Sequence, residues 1–173
     1  MSRLQTGALN MLARPVGLDE VVPAALASLA DRGRGVEVDV PETLPRVQAD
    51  PALLERAIAN VVANALTWSP PDHPVQVAAR DCGDHIELRV IDHGPGIPAA
   101  DRDRLFQPFQ RLGDADGGGV GLGLAVAHGF VTAMGGEILP EDTPGRGLTM
   151  RLRLPVAQAT TAQSISGDPG GTQ

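Results

Sequence analysis

A carboxylate and two glycines that follow an alternating run at 86–91 are the first residues suited to ligand chemistry. The segment reads Asp92-His93-Gly94-Pro95-Gly96, and the alternation before it predicts a strand that ends at Asp92. Glycine lets the backbone approach a flat ligand closely because no Cβ intervenes. An ionised carboxylate only accepts hydrogen bonds, so Asp92 is a candidate to bind the amino group of adenine. The alternative is an aspartate that simply forms the turn before Gly94.

A second glycine-rich segment runs directly into an apolar helical pattern. Its residues are Gly117, Gly118, Gly119, Val120, Gly121, Leu122 and Gly123. The unpaired N–H groups of a helix N-terminus and the helix dipole favour anions, so this segment predicts a phosphate site. The glycines also suit a loop that opens and closes over a ligand. A base at one segment and phosphates at the other indicate a nucleotide site.

Two asparagines and one arginine are the remaining candidates. Asn60 and Asn64 lie four residues apart on a predicted helix and hence on one side of it, where their oxygens suit Mg²⁺ with a triphosphate. Two polar residues on a wet helix edge are the alternative. All 14 basic residues are arginine, so phosphate charge must be met by Arg, Mg²⁺ and helix N–H groups. Arg111 is the candidate arginine, and a solvated loop arginine is the alternative.

Composition limits the classes of function. The 173 residues suit one domain, with a core of aliphatic side chains because aromatic residues make up only 2%. A net charge of −7 argues against general nucleic-acid binding, since no basic face can offset phosphate repulsion. The single cysteine, Cys82, excludes an internal disulfide and a zinc site built on cysteines, and it fits a reducing compartment. No apolar run reaches the roughly 18 residues of a membrane span, so we expect a cytoplasmic domain.

The hydrophobic pattern predicts a two-layer α/β sandwich, with a mixed, mostly antiparallel sheet and helices on one face. The strands alternate an aliphatic face with a charged one, as in 36–40, 75–80, 86–91 and 148–154. Asp19 is expected to cap a helix that runs to about Ala30. Asp50-Pro51 starts a second helix, which ends near Thr67 and buries the stripe Leu54, Ile58, Val61, Val62 and Ala65. Residues 156–173 are expected to be disordered, and residues 1–14 are expected either to end a helix or linker whose main body lies outside this chain or to be a disordered start.

Other nucleotide motifs are absent from the sequence. There is no G-x-x-x-x-G-K-[ST], and the glycines at 117–123 do not spell G-x-G-x-x-G after a strand. The four histidines, His73, His85, His93 and His128, show no metal-ligand spacing.

Taken in order, these segments resemble the ATP-binding catalytic domain of sensor histidine kinases, within the superfamily of gyrase, Hsp90 and MutL. Residues 60–65, Asn-Val-Val-Ala-Asn-Ala, resemble the N box, and 92–96 the first glycine box. Phe106-Gln107-Pro108-Phe109 resembles the F box, 119–124 the second glycine box, and 145–149 the last Gly/Thr segment. The match covers roughly residues 15–155 and implies the two-layer sandwich of that superfamily, the Bergerat fold. Residues 141–150 and the Phe-Gln-Arg-Leu-Gly run further resemble potassium-responsive sensor kinases of actinobacteria.

By position, the resemblance implies that Asn64 binds Mg²⁺ beside Asn60, that Asp92 binds the adenine amino group, and that Arg111 binds phosphates. The full implied ATP-binding set is Asn60, Asn64, Asp92, Gly94, Gly96, Ile97, Arg111, Gly119, Val120, Gly121, Leu122, Gly123 and Thr149. Thr67 departs from the family, which often has a basic residue there. Arg56 stands where some relatives have a glutamate base, with Glu55 adjacent, so no catalytic base is assigned.

The resemblance also implies partners outside this chain. The phosphoacceptor histidine of the family lies on a separate dimerisation domain, and none of the four histidines here has that context. A response regulator is an indirect partner, and the parent protein is expected to be anchored in the inner membrane without membrane contact by this domain. A nucleotide-sensing module without catalysis and a serine kinase of the anti-sigma type are the alternative functions.

Overall fold

The computed structural model of the chain describes residues 10–108 and 123–158. The described part forms seven strands and three α-helices: β1 Arg14–Val16, α1 Leu18–Ser28, β2 Glu37–Asp39, β3 Val47–Ala49, α2 Pro51–Trp68, β4 Gln76–Asp81, β5 His85–Ile91, α3 Gly123–Ala133, β6 Glu137–Asp142 and β7 Leu148–Pro155. Short 3-10 helices span Ala30–Gly35 and Ala99–Arg104.

Five of the strands make one mixed sheet in the order β2-β4-β5-β7-β6. Only β2 and β4 pair in parallel, and the other three pairs are antiparallel. β1 and β3 form a separate antiparallel pair. The predicted α+β sandwich with a mixed, mostly antiparallel sheet is therefore confirmed. The pairing of β5 with β7 matters most for function, because it brings the end of β5 beside the start of β7.

The three helices pack together, with α2 between α1 and α3. All five residues of the predicted α2 stripe are buried, and none of them is more than 2% exposed. They join aliphatic residues of the strands, such as Leu88 and Leu152, in one core cluster. Within residues 10–108 and 123–158, no helix has the length and apolarity needed to cross a membrane.

The charged face of the sheet is less open to water than the alternation suggests. The Glu87 side chain is only 5% exposed, because Arg80, Arg89 and Arg151 surround its carboxylate. Glu141 pairs with Arg89 and Arg151, both at 2.9 Å. The neighbouring strands thus cover a central acid with guanidinium groups, which sequence alternation alone does not reveal.

The two predicted helix starts have different outcomes. Asp50 caps α2 as expected, since its Oδ1 accepts hydrogen bonds from the N–H groups of Ala52 and Leu53. The predicted cap at Asp19 is wrong: Gly17 is the N-cap of α1, and Asp19 lies in the first turn. Leu18 is 1% exposed and begins the helix, so burial of this side chain sets the start.

Candidate nucleotide site

Asp92 lies directly after β5, and both its backbone and its side chain form hydrogen bonds with Leu148 at the start of β7. Its N–H donates to the Leu148 carbonyl at 3.0 Å, and its Oδ1 accepts from the Leu148 N–H at 2.9 Å. Oδ1 also accepts from the Gly94 N–H at 3.0 Å, which closes the turn after the strand. One carboxylate oxygen is therefore used to build the site.

The second oxygen, Oδ2, accepts no hydrogen bond from the described residues. Asp92 is 3% exposed overall, and burial raises the pKa of its carboxyl group because the charged form loses water. The N–H groups of Leu148 and Gly94, together with the nearby His93, oppose this rise in pKa. A buried carboxylate with one free acceptor is suited to a ligand that supplies an N–H donor.

Glycines allow three backbone segments to meet at Asp92. A Cβ on Gly94 would lie 2.6 Å from the Trp68 carbonyl oxygen, at the end of α2. A Cβ on Gly147 would lie 2.0 Å from the Asp92 carbonyl oxygen, and Gly147 has a φ of +128°. Gly96 has a φ of +74° and lies against the Gly147 backbone. No side chain larger than hydrogen fits at Gly94 or Gly147, so this cradle requires glycine.

Two buried threonines support Asp92 from β7 and the turn before it. The Thr143 hydroxyl donates to the Asp92 carbonyl at 2.9 Å. The two hydroxyls of Thr143 and Thr149 are also 2.9 Å apart. Because the Thr143 proton is directed to Asp92, Thr149 must be the donor in this second bond. Thr149 therefore belongs to a hydrogen-bonded chain that ends at the backbone of Asp92.

Helix α2 connects this cradle to the start of α3. Asn60, Asn64 and Trp68 are spaced four residues apart and so lie along one side of the helix. The side chain of Asn60 is the nearest group to a Cβ built on Gly123, at 3.8 Å, so it borders the first residue of α3. The Trp68 carbonyl contacts Gly94 at the other end. The row spans about 12 Å at 1.5 Å per residue, and Asn64 lies midway along it.

The structure thus brings together Asp92, Gly94, Gly96 and Thr149 at one end of the row, and Asn60 and Gly123 at the other. Ile97 is half-buried against the core. Gly147, Thr143 and the Trp68 carbonyl complete the cradle and were not among the predicted site residues. The spacing Gly145-x-Gly147 is the sequence signal that could have indicated the turn. Arg111, Gly119, Val120, Gly121 and Leu122 lie outside the described residues.

An arginine from elsewhere in the chain lies beside Thr67. The resembled family often has a basic residue at the position of Thr67. Arg32, in the first 3-10 helix, donates to the Thr67 hydroxyl at 3.3 Å and to the Ala63 carbonyl at 3.4 Å. Sequence reasoning missed this contact, because Arg32 and Thr67 are 35 positions apart. A guanidinium group is therefore present on this flank of α2.

Comparison with known proteins agrees with this geometry. Residues 49–158 match the family described as "Histidine kinase-, DNA gyrase B-, and HSP90-like ATPase". The chain is 47% identical to "Sensor protein KdpD" of Rathayibacter rathayi, over 100% of this chain and 20% of that protein. It is 44% identical to "Sensor protein KdpD" of Mycobacterium tuberculosis, over 88% of this chain and 18% of that protein. The chain spans about a fifth of the length of these curated relatives.

Among solved structures, "Mycobacterial sensor histidine kinase MprB" is 33% identical and has a TM-score of 0.74, covering 86% of this chain and 100% of that one. The resemblance inferred from the ordered boxes is confirmed by the matched range, the relatives and this fold. The chain belongs to the histidine kinase-, gyrase B- and HSP90-like ATPase family and is an ATP-binding domain of the sensor histidine kinase type.

Proposed function

We propose that this domain binds Mg-ATP and presents its γ-phosphate to a histidine on a dimerisation domain outside this chain, in a sensor kinase of the KdpD type. The observation that carries the proposal is that the two carboxylate oxygens of Asp92 have different hydrogen-bond partners. One oxygen is held by two backbone N–H groups, and the other accepts no hydrogen bond from the described residues.

Adenine fits this oxygen because its exocyclic amino group donates a hydrogen bond. Guanine has a carbonyl at the corresponding position, which would face the carboxylate as a second acceptor. An unpaired buried acceptor costs about 1–3 kcal/mol, so the site should discriminate against guanine. Gly94 and Gly96 shape the pocket by letting the Trp68 and Gly147 backbones pack close to Asp92, and Ile97 is proposed to contact the base.

The phosphates would extend along α2 toward the start of α3. Asn64, with Asn60 one turn before it, is the proposed Mg²⁺ ligand, because side-chain amide oxygens are hard ligands and the two residues lie on one side of α2. Mg²⁺ would neutralise charge on the transferring phosphoryl group. Arg111 and residues 119–123 are proposed to contact the phosphates, and Arg32 adds positive charge near Thr67.

The catalytic contribution of this chain is positioning and charge stabilisation, on which phosphoryl transfer chiefly depends. The nucleophile would come from the dimerisation domain, and we propose that residues 1–14 connect that domain to the catalytic domain. By the same similarity, the stimulus is potassium, the response regulator is an indirect partner, and the parent protein is anchored in the inner membrane. Residues 15–155 form the catalytic domain in this proposal, although the ordered chain extends past 155, because Val156 bridges Val47 and the Ala157 N–H donates to the Arg46 carbonyl at 2.8 Å. The expectation of disorder from residue 156 is therefore wrong at these two residues.

Calorimetric titration with ATP and GTP, each with and without Mg²⁺, tests the binding site. We expect ATP to bind in preference to GTP and Mg²⁺ to strengthen the binding. Asp92→Asn should weaken ATP binding by roughly 10- to 150-fold, the equivalent of one charged hydrogen bond. The amide oxygen can still accept from Leu148 and Gly94, so the variant should fold. Asp39→Asn, an equal charge change on exposed β2, is the control, and equal affinities of the two variants would contradict the adenine contact.

Phosphate transfer tests the kinase role separately. The domain is mixed with radiolabelled ATP and a purified dimerisation domain that carries the acceptor histidine. Label on that histidine is expected, and Asp92→Asn should abolish it at ATP concentrations below the variant's dissociation constant. ATP binding without label transfer would favour a nucleotide-sensing module, and label on a serine of a partner protein would favour the anti-sigma type.

A further inference from the structure

The tip of the β4–β5 hairpin gathers three different kinds of metal ligand on one face of the sheet. Cys82, His85 and Glu87 each offer a ligand atom, and these atoms all lie within 4.8 Å of one another. The Cys82 N–H donates to the His85 carbonyl at 2.9 Å, so these two residues face each other across the turn. Glu87 lies two residues beyond His85 on β5, and its side chain therefore points to the same face.

The turn is built in a way that fixes this arrangement. Gly83 has a φ of +95°, and its N–H donates to Asp81 Oδ1 at 2.8 Å. A loop of two residues, Gly83 and Asp84, separates Cys82 from His85, so the backbones of these two residues cannot move apart without breaking the hairpin.

Asp84 orients the imidazole. Its Oδ1 lies 2.6 Å from His85 Nδ1, and since a carboxylate only accepts, Nδ1 must carry the proton. The other ring nitrogen, Nε2, then has a free lone pair. A carboxylate on one nitrogen and a metal on the other is the usual arrangement for a metal-binding histidine.

Glu87 is an independent indication that this cluster suits a ligand. Its side chain is 5% exposed, and within the described residues its Oε1 is buried without a hydrogen-bond partner. Arg80 Nη2 approaches Oε1 to 2.9 Å but does not align as a donor, and Arg89 Nε lies 3.6 Å away. A buried acceptor without a partner is costly and is often explained by a bound ion or water.

We infer that Cys82, His85 and Glu87 form a binding site for a divalent transition metal of the zinc class. Sulfur, nitrogen and carboxylate oxygen together suit Zn²⁺ or Co²⁺, whereas Mg²⁺ and Ca²⁺ bind oxygen ligands. Three protein ligands leave a fourth tetrahedral position to water at the exposed tip. Tetrahedral zinc requires ligand atoms about 3.5 Å apart, so the side chains must close by about 1 Å, which the exposed Cys82 can supply by rotation.

This site is distinct from the nucleotide site. β5 begins at His85 and ends at Ile91, one residue before Asp92. Seven strand residues span roughly 20 Å, so the metal and the adenine pocket lie at opposite ends of the same strand. The inference therefore does not depend on the proposed function.

Titration of the full 173-residue chain with Co²⁺ tests the site, because a thiolate bound to Co²⁺ gives a charge-transfer band in the near ultraviolet. Cys82 is the only cysteine, so any such band must come from it. We expect a band that saturates at one Co²⁺ per chain and is displaced by Zn²⁺. Cys82→Ser should abolish the band, and His85→Gln should weaken Zn²⁺ binding at least tenfold.

Three further variants sharpen the test. Asp84→Asn leaves the ligands in place but loosens the imidazole, so Zn²⁺ affinity should fall by roughly 10- to 100-fold. Arg80→Gln removes the cation nearest to Glu87 Oε1 and should tighten binding. His73→Gln lies outside the hairpin and should change nothing. Absence of the band, two chains per metal, or affinity unchanged by His85→Gln in a variant that remains folded by circular dichroism would overturn the inference.

Discussion

Replacing Gly147 with alanine should disrupt both the fold and the nucleotide site. The added Cβ would lie 2.0 Å from the Asp92 carbonyl oxygen and 2.9 Å from the Cα of His93, so backbone must move by about 1 Å. The φ of +128° adds strain of its own. Because Leu148 is the next residue, the same movement pulls its N–H away from Asp92 Oδ1.

Gly145 offers a matched control in the same turn. Its φ is +91°, but a Cβ there meets nothing within 4 Å. Gly145→Ala therefore carries the backbone strain alone, about 1–3 kcal/mol. Gly147→Ala carries that strain, an overpacking term of about 1–3 kcal/mol, and the loss of a charged hydrogen bond worth about 1.5–3 kcal/mol. The difference between the two variants should be roughly 2.5–6 kcal/mol, a large part of the stability of a typical domain.

Urea unfolding followed by circular dichroism measures both free energies, with the slope checked for two-state behaviour. ATP titration on the folded fraction then separates stability from binding: Gly145→Ala should retain its affinity, and Gly147→Ala should lose at least tenfold. The reasoning is refuted if the two variants differ in stability by less than about 1 kcal/mol, since the contact with Asp92 would then be absent.

Three further predictions concern pH and hydrogen bonds. Burial raises the pKa of Asp92, so calorimetry should show that ATP affinity falls as the pH drops through this raised pKa. The folded state also binds the proton more tightly than the unfolded state, so urea unfolding should show that stability falls as the pH rises from the pKa of a free aspartate to the raised one. Asp92→Asn should show neither pH dependence. Asp50→Ala should lower the free energy of unfolding, measured by urea titration, by about 1–2 kcal/mol because it uncaps α2. Thr149→Val should cost about 1 kcal/mol by breaking the bond to Thr143, and Thr149→Ser should restore it.

The sequence predicted well wherever neighbouring residues determine the structure. Asp50 and Pro51 define a helix start through contacts within one turn, and the aliphatic stripe of α2 follows from helical spacing alone. The prediction at Asp19 failed because burial of Leu18, a tertiary effect, sets the start of α1. Glu87 was predicted on a wet face, and only the pairing of β5 with β4 and β7 reveals the arginines that bury it.

The same distinction applies to the candidate site. Asp92 and the glycines after it are adjacent in sequence, and their composition already indicates a turn that can accept a ligand. Gly147 and Thr143 lie about 50 residues away, and they reach Asp92 only because β5 pairs with β7. Local composition cannot indicate that pairing, so the side of the site that rests on β7 was visible only in the resemblance to a family.

The two oxygens of Asp92 link the stability of the domain to its choice of base. Oδ1 ties the end of β5 to β7 and closes the turn, so any change that misplaces the carboxylate also loosens the sheet. Oδ2 can then offer a fixed acceptor at no further conformational cost when a ligand arrives. Asparagine can replace the first oxygen but presents a donor in place of the second, whereas glutamate has both oxygens but is one methylene too long for the turn. Aspartate is therefore the one residue that satisfies both demands, which explains why a charge is kept in a place where burial opposes it.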